Sequence, residues 1–535
     1  MKRIKSTALA RARARVMSTA HALTALARDA RACARLVFAR GTATDASSSS
    51  SSRTVGHRFA VVGSGPAGMY AALALAKTFA GSTIDVFDRS PAPFGLVRYG
   101  VAPDHAETKL VTKKFHETLT TRDDVAYYGN VGLGRDVSVG ELMDGYHGVV
   151  LACGASGDRR LEVPGEETRR GVLSAREFVA WFNGDPAHGP ESETHARVRE
   201  ALEKGGANAH VAVIGVGNVA IDCARVLLKD ADALAETDIC AHALETLRAH
   251  PVSSVSLIGR RGVAQASFTP KELRELLNLP DVRVEMSEET LALAPEDEEE
   301  LTRSRPRRRA YEAFTKRKDA GECLREDGRC KKTLHVRFLA SPLEFGGDKD
   351  GALRWMKLGR NELVGPAGAR KSIPSGETET IPTALALRSV GYRAEPIAST
   401  VDGDESSSGV TLPFDERARV VPNAYGAVVA NALSLRQIPR LYVTGWLKRG
   451  PTGIIGTNLT CAEETVAKMA ADFAVNPPEE PLSRGVASIL ARRGVRVVDA
   501  DDWNRLDDLE RARGEAVGKP REKFTRVRDM LDALA

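Results

Sequence analysis

Two glycine-rich turns, each between a β-rich run and a helix-like run, constrain this 535-residue chain more than any other feature. The first turn reads GSGPAG from Gly63 to Gly68, follows the apolar run FAVV (59–62) and precedes an Ala- and Leu-rich stretch. Gly63 permits a tight turn, Gly65 lets the backbone approach a pyrophosphate, and Gly68 lets the helix pack closely on the strand. The pattern predicts a dinucleotide-binding α/β unit.

The next β-rich run supports this interpretation. It reads TIDVFD and ends in Asp88, twenty residues after Gly68. An acid at this place in the fold accepts hydrogen bonds from the hydroxyl pair of a ribose. Strand, turn, helix and acid therefore occur in the order that a nucleotide site needs.

The second turn reads GVGNVA (215–220) and follows the β-branched run VAVI (211–214). The strand after it, VSSVSLIGRR, ends in Arg260 and Arg261 instead of an acid. Paired guanidinium groups bind a 2′-phosphate through charge-assisted hydrogen bonds, whereas a carboxylate would repel it. The sequence therefore predicts NADP(H), not NAD(H), in the second unit.

Two sites for two different dinucleotides predict a flavin enzyme that passes hydride between NADPH and FAD. We expect an α/β fold with two Rossmann-like dinucleotide-binding domains of the glutathione reductase kind, in which the NADP domain is inserted into a discontinuous FAD domain. The predicted boundaries are 57–153 for the first part of the FAD domain, 154–384 for the NADP domain and 385–535 for the second part. A strand at 441–443 and a helix that starts near Ile455 should complete the flavin site.

Four runs of sequence resemble the adrenodoxin reductase family, which comprises mitochondrial ferredoxin–NADP reductases. They are SPAPFGLVRYGVAPDH (90–105), GVGNVAIDCARVLL (215–228), IGRRG with FTPKELREL (258–276) and GWLKRGPTGIIGTN (445–458). The resemblance covers essentially residues 57–535 and implies bound FAD, bound NADP(H), a [2Fe-2S] ferredoxin as the electron acceptor and no redox disulfide.

The resemblance also implies roles for individual residues. Those of the flavin site are the pyrophosphate turn, Gly63, Gly65, Ala67 and Gly68; the ribose acid, Asp88; the flavin contacts, Leu96 and Leu133; and the isoalloxazine wall, Trp446, Gly453, Ile454 and Ile455. Those of the NADP site are the pyrophosphate turn, Gly215, Val216, Gly217, Asn218 and Val219; the 2′-phosphate ligands, Arg260 and Arg261; and, on the nicotinamide side, Glu272.

Asp104, His105 and Glu272 are the candidate catalytic residues. An imidazole beside the flavin could relay a proton near neutral pH. The alternative is that His105 only holds its own loop in place. Hydride transfer needs no side-chain acid, because alignment of the two cofactors supplies most of the catalysis.

The positive charge of the chain is concentrated at its start. The formal net charge is +5, but residues 1–52 alone carry +8, so the remainder is slightly acidic and nucleic-acid binding is not expected. An Arg- and Ala-rich segment with few acids predicts a transit peptide, more typical of the mitochondrial matrix than of the chloroplast. No apolar run reaches the ~18 residues of a membrane-spanning helix.

Cysteine usage decides between related flavin enzymes. The seven cysteines form no CxxC, so neither a disulfide framework nor a metal site is predicted. Residues 89–116, after the ribose acid, contain no cysteine, which argues against a disulfide reductase. A glutamate-synthase-type subunit would need Cys-rich runs. A flavin monooxygenase and a non-catalytic NADP-responsive flavoprotein remain as alternatives.

A basic run, RSRPRRR (303–309), predicts a docking surface for an acidic ferredoxin. The residues concerned are Arg305, Arg307, Arg308 and Arg309. The alternative is a solvated segment that pairs with the acidic run just before it (296–300).

Overall fold

Two mainly parallel β-sheets, each flanked by helices, organise the part of the chain that the structure describes. The structure is a computed structural model that describes residues 56–323, 330–401, 410–431 and 433–535. The predicted transit peptide (1–52) lies outside the described residues. The α/β class with two Rossmann-like units is confirmed.

The elements alternate between strand and helix over most of the chain. The strands are β1 (Arg58–Val62), β2 (Thr83–Phe87), β3 (Val125–Tyr128), β4 (Gly148–Leu151), β5 (Gly157–Asp158), β6 (Val172–Ser174), β7 (His210–Ile214), β8 (Ser254–Gly259), β9 (Val282–Glu285), β10 (Lys332–Phe338), β11 (Ala340–Gly347), β12 (Leu353–Val364), β13 (Lys371–Pro382), β14 (Leu385–Arg388), β15 (Tyr392–Arg393), β16 (Asn423–Ala424), β17 (Ala427–Asn431) and β18 (Ser434–Val443). The helices are α1 (Pro66–Thr78), α2 (Leu96–Tyr99), α3 (Ala106–Lys109), α4 (Val111–Thr120), α5 (Val139–Gly145), α6 (Ala175–Asn183), α7 (Glu193–Gly205), α8 (Asn218–Leu228), α9 (Ala231–Ala235), α10 (Ala241–Ala249), α11 (Pro270–Leu277), α12 (Glu288–Leu291), α13 (Pro295–Arg303), α14 (Arg305–Asp319), α15 (Trp446–Arg449), α16 (Thr457–Val475), α17 (Ala487–Arg492), α18 (Ala500–Glu515) and α19 (Val527–Asp532).

The first sheet has the strand order β16-β17-β18-β4-β1-β2-β3, in which β18 to β3 run parallel. Val62 lies opposite Phe87 on one side and Leu151 on the other, so three strands end at the same level. Buried apolar side chains cover both faces of the sheet. Helix α16 packs against α1 beside the first glycine-rich turn. It begins at Thr457, two residues after the predicted start.

The second sheet has the order β6-β14-β7-β8-β10-β9 and is parallel throughout. The predicted domain boundary at 384/385 is wrong by a few residues, because β14 pairs with β6 and β7 of this sheet. The physical reason is that Ala386 and Leu387 are fully buried and complete the sheet beside β7. The chain therefore leaves the second sheet only after Arg388.

Two smaller sheets complete the second half and the connection between halves. Strands β11, β12 and β13 form an antiparallel meander between β10 and β14. Strands β5 and β15 pair antiparallel, with Tyr392 opposite Asp158, at the two places where the chain passes between the large sheets.

A disulfide joins Cys323 to Cys330, although the cysteine spacing predicted no disulfide framework. The two residues are separated by seven positions, a spacing with no recognised motif, and their Cα atoms are 6.1 Å apart. Both cysteines lie in the connection from α14 to β10. The disulfide lies in the second half, beyond β9.

Candidate nucleotide and redox site

The first glycine-rich turn has the geometry that its sequence predicts. Gly63 has a φ of +111°, a conformation that side chains with a Cβ rarely adopt. A Cβ on Gly68 would lie 1.7 Å from the carbonyl oxygen of Gly63, so only glycine allows α1 to approach β1 this closely. A Cβ on Gly65, in contrast, would have no atom within 4 Å. The turn is thus rigid on its inner side and open where a pyrophosphate would lie.

Asp88 lies at the end of β2, beside the same turn. Its carboxylate accepts hydrogen bonds from the amide and hydroxyl of Ser64, at 2.9 and 2.5 Å, and from the amide of Ser90 at 3.0 Å. The Ser64 hydroxyl also accepts from the amide of Phe94. Sequence reasoning missed Ser64, because the middle position of GxG is not constrained by the motif. A carboxylate has about four acceptor directions, so a ribose hydroxyl can still donate to Asp88.

The second turn repeats this arrangement. Gly215 has a φ of +136°, and a Cβ there would lie 2.1 Å from the Ser389 carbonyl oxygen. A Cβ on Gly217 would lie no closer than 3.8 Å to any atom. Neither α1 nor α8 has a side-chain cap, so the first amides of both helices are available to an anion.

Three further residues of the second turn were predicted to contact NADP. Val216 and Val219 are half-buried against the core of the second sheet. The side-chain oxygen of Asn218 accepts from the amide of Thr269 at 2.8 Å. Asn218 therefore fixes the turn to the start of α11, the helix that carries Glu272.

Arg260 and Arg261 follow β8 directly, as predicted. Arg260 is exposed and Arg261 is half-buried. Burial, together with the positive charges of Arg260 and Arg307, lowers the pKa of Arg261. Mutual repulsion of this kind makes the site favourable for an anion, because a bound phosphate would relieve it.

His105 contacts two carboxylates of α11, although the histidine belongs to the first half of the molecule and α11 to the second. Its Nε2 lies 2.7 Å from Glu275 and 3.2 Å from Glu272. The imidazole is buried. Desolvation raises the pKa of Glu272, while the neighbouring His105 opposes this effect. The structure thus brings together two predicted residues, His105 and Glu272, that are 167 positions apart in the sequence.

Asp104 is buried and accepts from Arg225 through both oxygens, at 2.8 and 2.9 Å. Lys229 donates to the same carboxylate at 3.1 Å. These hydrogen bonds and charges overcome desolvation and hold the pKa of Asp104 well below its usual range. Two cations at the end of α8, Arg225 and Lys229, therefore hold Asp104 in place, and its catalytic role remains a prediction.

Sequence reasoning missed the partners of these residues. They are Asp222, Arg225, Lys229 and Glu275. The sequence did contain a signal for these partners in the helical spacing of two residue pairs. Asp222 and Arg225 are three positions apart on α8, and Glu272 and Glu275 are three positions apart on α11. That spacing places each pair on one helix face, but it does not show which faces meet.

Trp446 lies at the start of α15, where it packs against Tyr392 with ring centroids 5.0 Å apart. Its Nε1 donates to the carbonyl of Thr452 at 3.2 Å. In the same segment, Gly453 has a φ of +85°, and the Ile454 side chain is 71% exposed. The contact of Trp446, Gly453 and Ile454 with the flavin ring remains a prediction.

The remaining residues predicted to contact FAD lie against the core or at the start of a helix. Ile455 is half-buried against the core beside α1, and Ala67 lies in van der Waals reach of Gly445. Leu96 is half-exposed at the start of α2. Leu133 packs against the core on the other face of the first sheet. The direct flavin contact of Leu133 and Leu96 remains a prediction.

His105, Asp222 and Glu272 place one potential ligand atom each within 4.8 Å of the others. No metal site was predicted from the sequence. Arg225 donates to Asp222 at 2.8 Å and lies 3.5 Å from Glu272, so a guanidinium already supplies positive charge to these carboxylates.

Known proteins share this architecture. Residues 57–301 match the family model for pyridine nucleotide-disulphide oxidoreductases. The chain is 39% identical over 91% of its length to the mitochondrial NADPH:adrenodoxin oxidoreductase of Arabidopsis thaliana, and covers 97% of that protein. It is 39% identical over 89% of its length to the mitochondrial enzyme of the same name from Bos taurus, and covers 91% of it. The chain belongs to the adrenodoxin reductase family.

A solved structure supports the same assignment. FprA from Mycobacterium tuberculosis, in complex with NADPH, superposes with a TM-score of 0.77 at 36% identity. The match covers 90% of this chain and 99% of FprA. The expectation of an oxidoreductase of this family is therefore confirmed, and the resemblance read from four short runs extends over most of the chain.

Proposed function

We propose that this chain is an NADPH:ferredoxin oxidoreductase that binds FAD in its first half and NADP(H) in its second. The observation that carries the proposal is the contact of His105 with Glu272, because it joins a loop of the first half to α11, the helix that Asn218 of the second glycine-rich turn also contacts. The names of the relatives in Arabidopsis, cattle and Mycobacterium support the activity.

The residues present fit both cofactors. Gly63, Gly65 and Gly68 with the free amides of α1 would hold the FAD pyrophosphate, and Asp88 the ribose. Gly217 and the amides of α8 would hold the NADP pyrophosphate, and the two arginines after β8 its 2′-phosphate. The open space at Gly65 and Gly217 is the structural support for this assignment.

Bound FAD supplies the conversion of a two-electron hydride into single electrons. The protein contributes orientation, because the two turns fix both nucleotides relative to one another. His105, whose Nε2 faces the carboxylates of Glu272 and Glu275, would be the residue that relays a proton at this site. Glu272 would lie on the nicotinamide side.

The disulfide of this chain does not favour a disulfide reductase. Such an enzyme needs its cysteines beside the flavin, whereas Cys323 and Cys330 lie beyond β9, the edge strand of the second sheet. Glu322, next to Cys323, accepts from the amide of Val284 in that strand. The two cysteines are thus part of the outer edge of the NADP half.

Purified protein with NADPH and cytochrome c tests the activity. We expect rapid cytochrome c reduction only when a [2Fe-2S] ferredoxin is added. Reduction at the same rate without ferredoxin, or consumption of oxygen coupled to hydroxylation, would favour another class of flavin enzyme.

For localisation we propose the mitochondrial matrix. The support comes from the basic, Ala-rich segment at the start of the sequence and from the mitochondrial relatives. In the described ranges, no helix combines the length and apolar character needed to cross a membrane. The assignment requires that residues 1–52 direct import into mitochondria. A fusion of these residues to a fluorescent protein, followed by microscopy, would test this.

For the ferredoxin partner we propose one exposed face of α14 as the docking surface. Arg305, Arg308 and Arg309 are exposed there, and Arg305 and Arg309 have no acidic partner within 4 Å among the described residues. Arg307 differs from them, since it binds the buried Glu300 at 3.0 Å. It also lies close enough to Arg261 to lower its pKa. We therefore remove Arg307 from the proposed surface.

Reversing Arg305, Arg308 and Arg309 to Glu should slow ferredoxin reduction at least about tenfold at low salt, because long-range steering is lost. The effect should shrink above ~0.1 M salt, where the Debye length is about 10 Å. Reduction of the bound flavin by NADPH should not change. The control reverses Arg248, Arg505 and Arg528, which are exposed on other helices. Equal losses in both triple variants would show that docking depends on net charge and not on α14.

A further inference from the structure

A buried arginine joins the two halves of the molecule at the candidate site. Arg225 lies in α8, and its side chain is 2% exposed. Its Nε and Nη2 donate to the two oxygens of Asp104. Asp104 belongs to the loop before α3 in the first half, whereas α8 follows the NADP turn. The guanidinium therefore bridges the flavin half and the NADP half.

The same guanidinium also contacts the groups around the candidate proton relay. Nη2 donates to Asp222 at 2.8 Å and lies 3.5 Å from the Nδ1 of His105. Nη1 lies 3.5 Å from Glu272. Arg225 thus occupies the centre of a cluster whose members come from three segments: the loop before α3, α8 and α11.

We propose that Arg225 is a positioning residue. It sets the spacing between the two nucleotide sites and holds the side chains of His105 and Glu272 at a fixed distance from each other. This inference rests on the proposed function. An arginine fork fixes a carboxylate in direction as well as in distance, which a lysine cannot do. Hydride transfer is sensitive to such placement, since a displacement of about 1 Å can cost ~100-fold in rate.

Lys229 offers a matched control on the same helix and the same carboxylate. Its Nζ donates to Asp104 at 3.1 Å, one turn after Arg225. The Lys229 side chain is 26% exposed, and its only described ion pair is with Asp104. Lys229→Met therefore removes a cation from Asp104 without removing the fork.

The test compares Arg225→Lys with Lys229→Met as holoenzymes. In Arg225→Lys, we expect the rate of flavin reduction at saturating NADPH to fall at least about tenfold, while the Kd for NADP⁺ stays within about threefold. Amide hydrogen exchange in residues 100–109 should also become faster, because Asp104 loses its two-point anchor. Lys229→Met should leave all three quantities near those of the wild type.

A lower melting temperature with an unchanged saturated rate would show that Arg225 only stabilises the fold, and would overturn the proposal. If Arg225→Lys does not accumulate with bound flavin, Asp104→Asn removes one of the two acceptor oxygens and the negative charge of the same bridge. It should likewise lower the rate of flavin reduction and leave the Kd for NADP⁺ nearly unchanged. Wild-type protein that NADPH cannot reduce would contradict the proposed function itself.

Discussion

Replacing Arg260 and Arg261 together by alanine should raise the Kd for NADPH about 100-fold or more, and leave the Kd for NADH within about threefold. Each charge-assisted hydrogen bond to the 2′-phosphate contributes about 1.5–3 kcal/mol, or roughly tenfold or more in affinity. NADH has no phosphate at this position, so it loses nothing. NADP⁺ and NAD⁺ differ by the same 2′-phosphate, so titration of the oxidised enzyme with each of them, followed by flavin absorbance, should show the same two changes in Kd.

The control for this variant is Arg505→Ala with Arg528→Ala, which removes the same charge from exposed positions on α18 and α19. It should leave the preference for NADPH intact. If the double variant at Arg260 and Arg261 binds NADPH and NADH more weakly by the same factor, the 2′-phosphate site after β8 is contradicted.

Valine at Gly65 should yield folded protein with less than about a tenth of the wild-type flavin, because its side chain would fill the space for the pyrophosphate. The position has a φ of −68°, which any residue adopts, and no atom lies within 4 Å of the new Cβ. The substitution should therefore spare the fold. Flavin released by acid from the purified protein gives the occupancy, which we expect to be about one non-covalent FAD per wild-type chain.

Gly217→Val is the matched substitution in the second turn. Its φ is −117°, and its Cβ would also enter open space. This variant should keep its flavin and lose reduction by NADPH, whereas dithionite should still reduce it. Loss of FAD from Gly217→Val, or full flavin in Gly65→Val, would contradict the assignment of the two turns.

Local patterns were sufficient to predict the geometry of the two turns. The roles of Gly63 and Gly68 depend on neighbours within one strand–turn–helix unit. The role proposed for Arg260 likewise depends only on its position at the end of β8. The structure shows the expected close packing at Gly68 and open space at Gly65. The sequence therefore predicted those parts of the site that form over about 30 residues.

Contacts between distant segments were beyond local reasoning. Arg225 and Asp104 are 121 positions apart, and either could have been an ordinary surface residue. The boundary at 385 failed for a similar reason, since only strand pairing shows that β14 belongs with β7. Arg307 belongs to the same basic run as Arg308 and Arg309, but only the structure shows that it binds Glu300 of α13.

Anaerobic titration of the purified enzyme tests the central claim most directly. One equivalent of NADPH should bleach the bound flavin, NADH at the same concentration should do so far more slowly, and oxidised [2Fe-2S] ferredoxin should then restore the colour with two ferredoxins reduced per NADPH. That stoichiometry follows from one hydride delivered as two single electrons. Bleaching by NADPH that ferredoxin cannot reverse, or equal bleaching by NADH, would contradict the account.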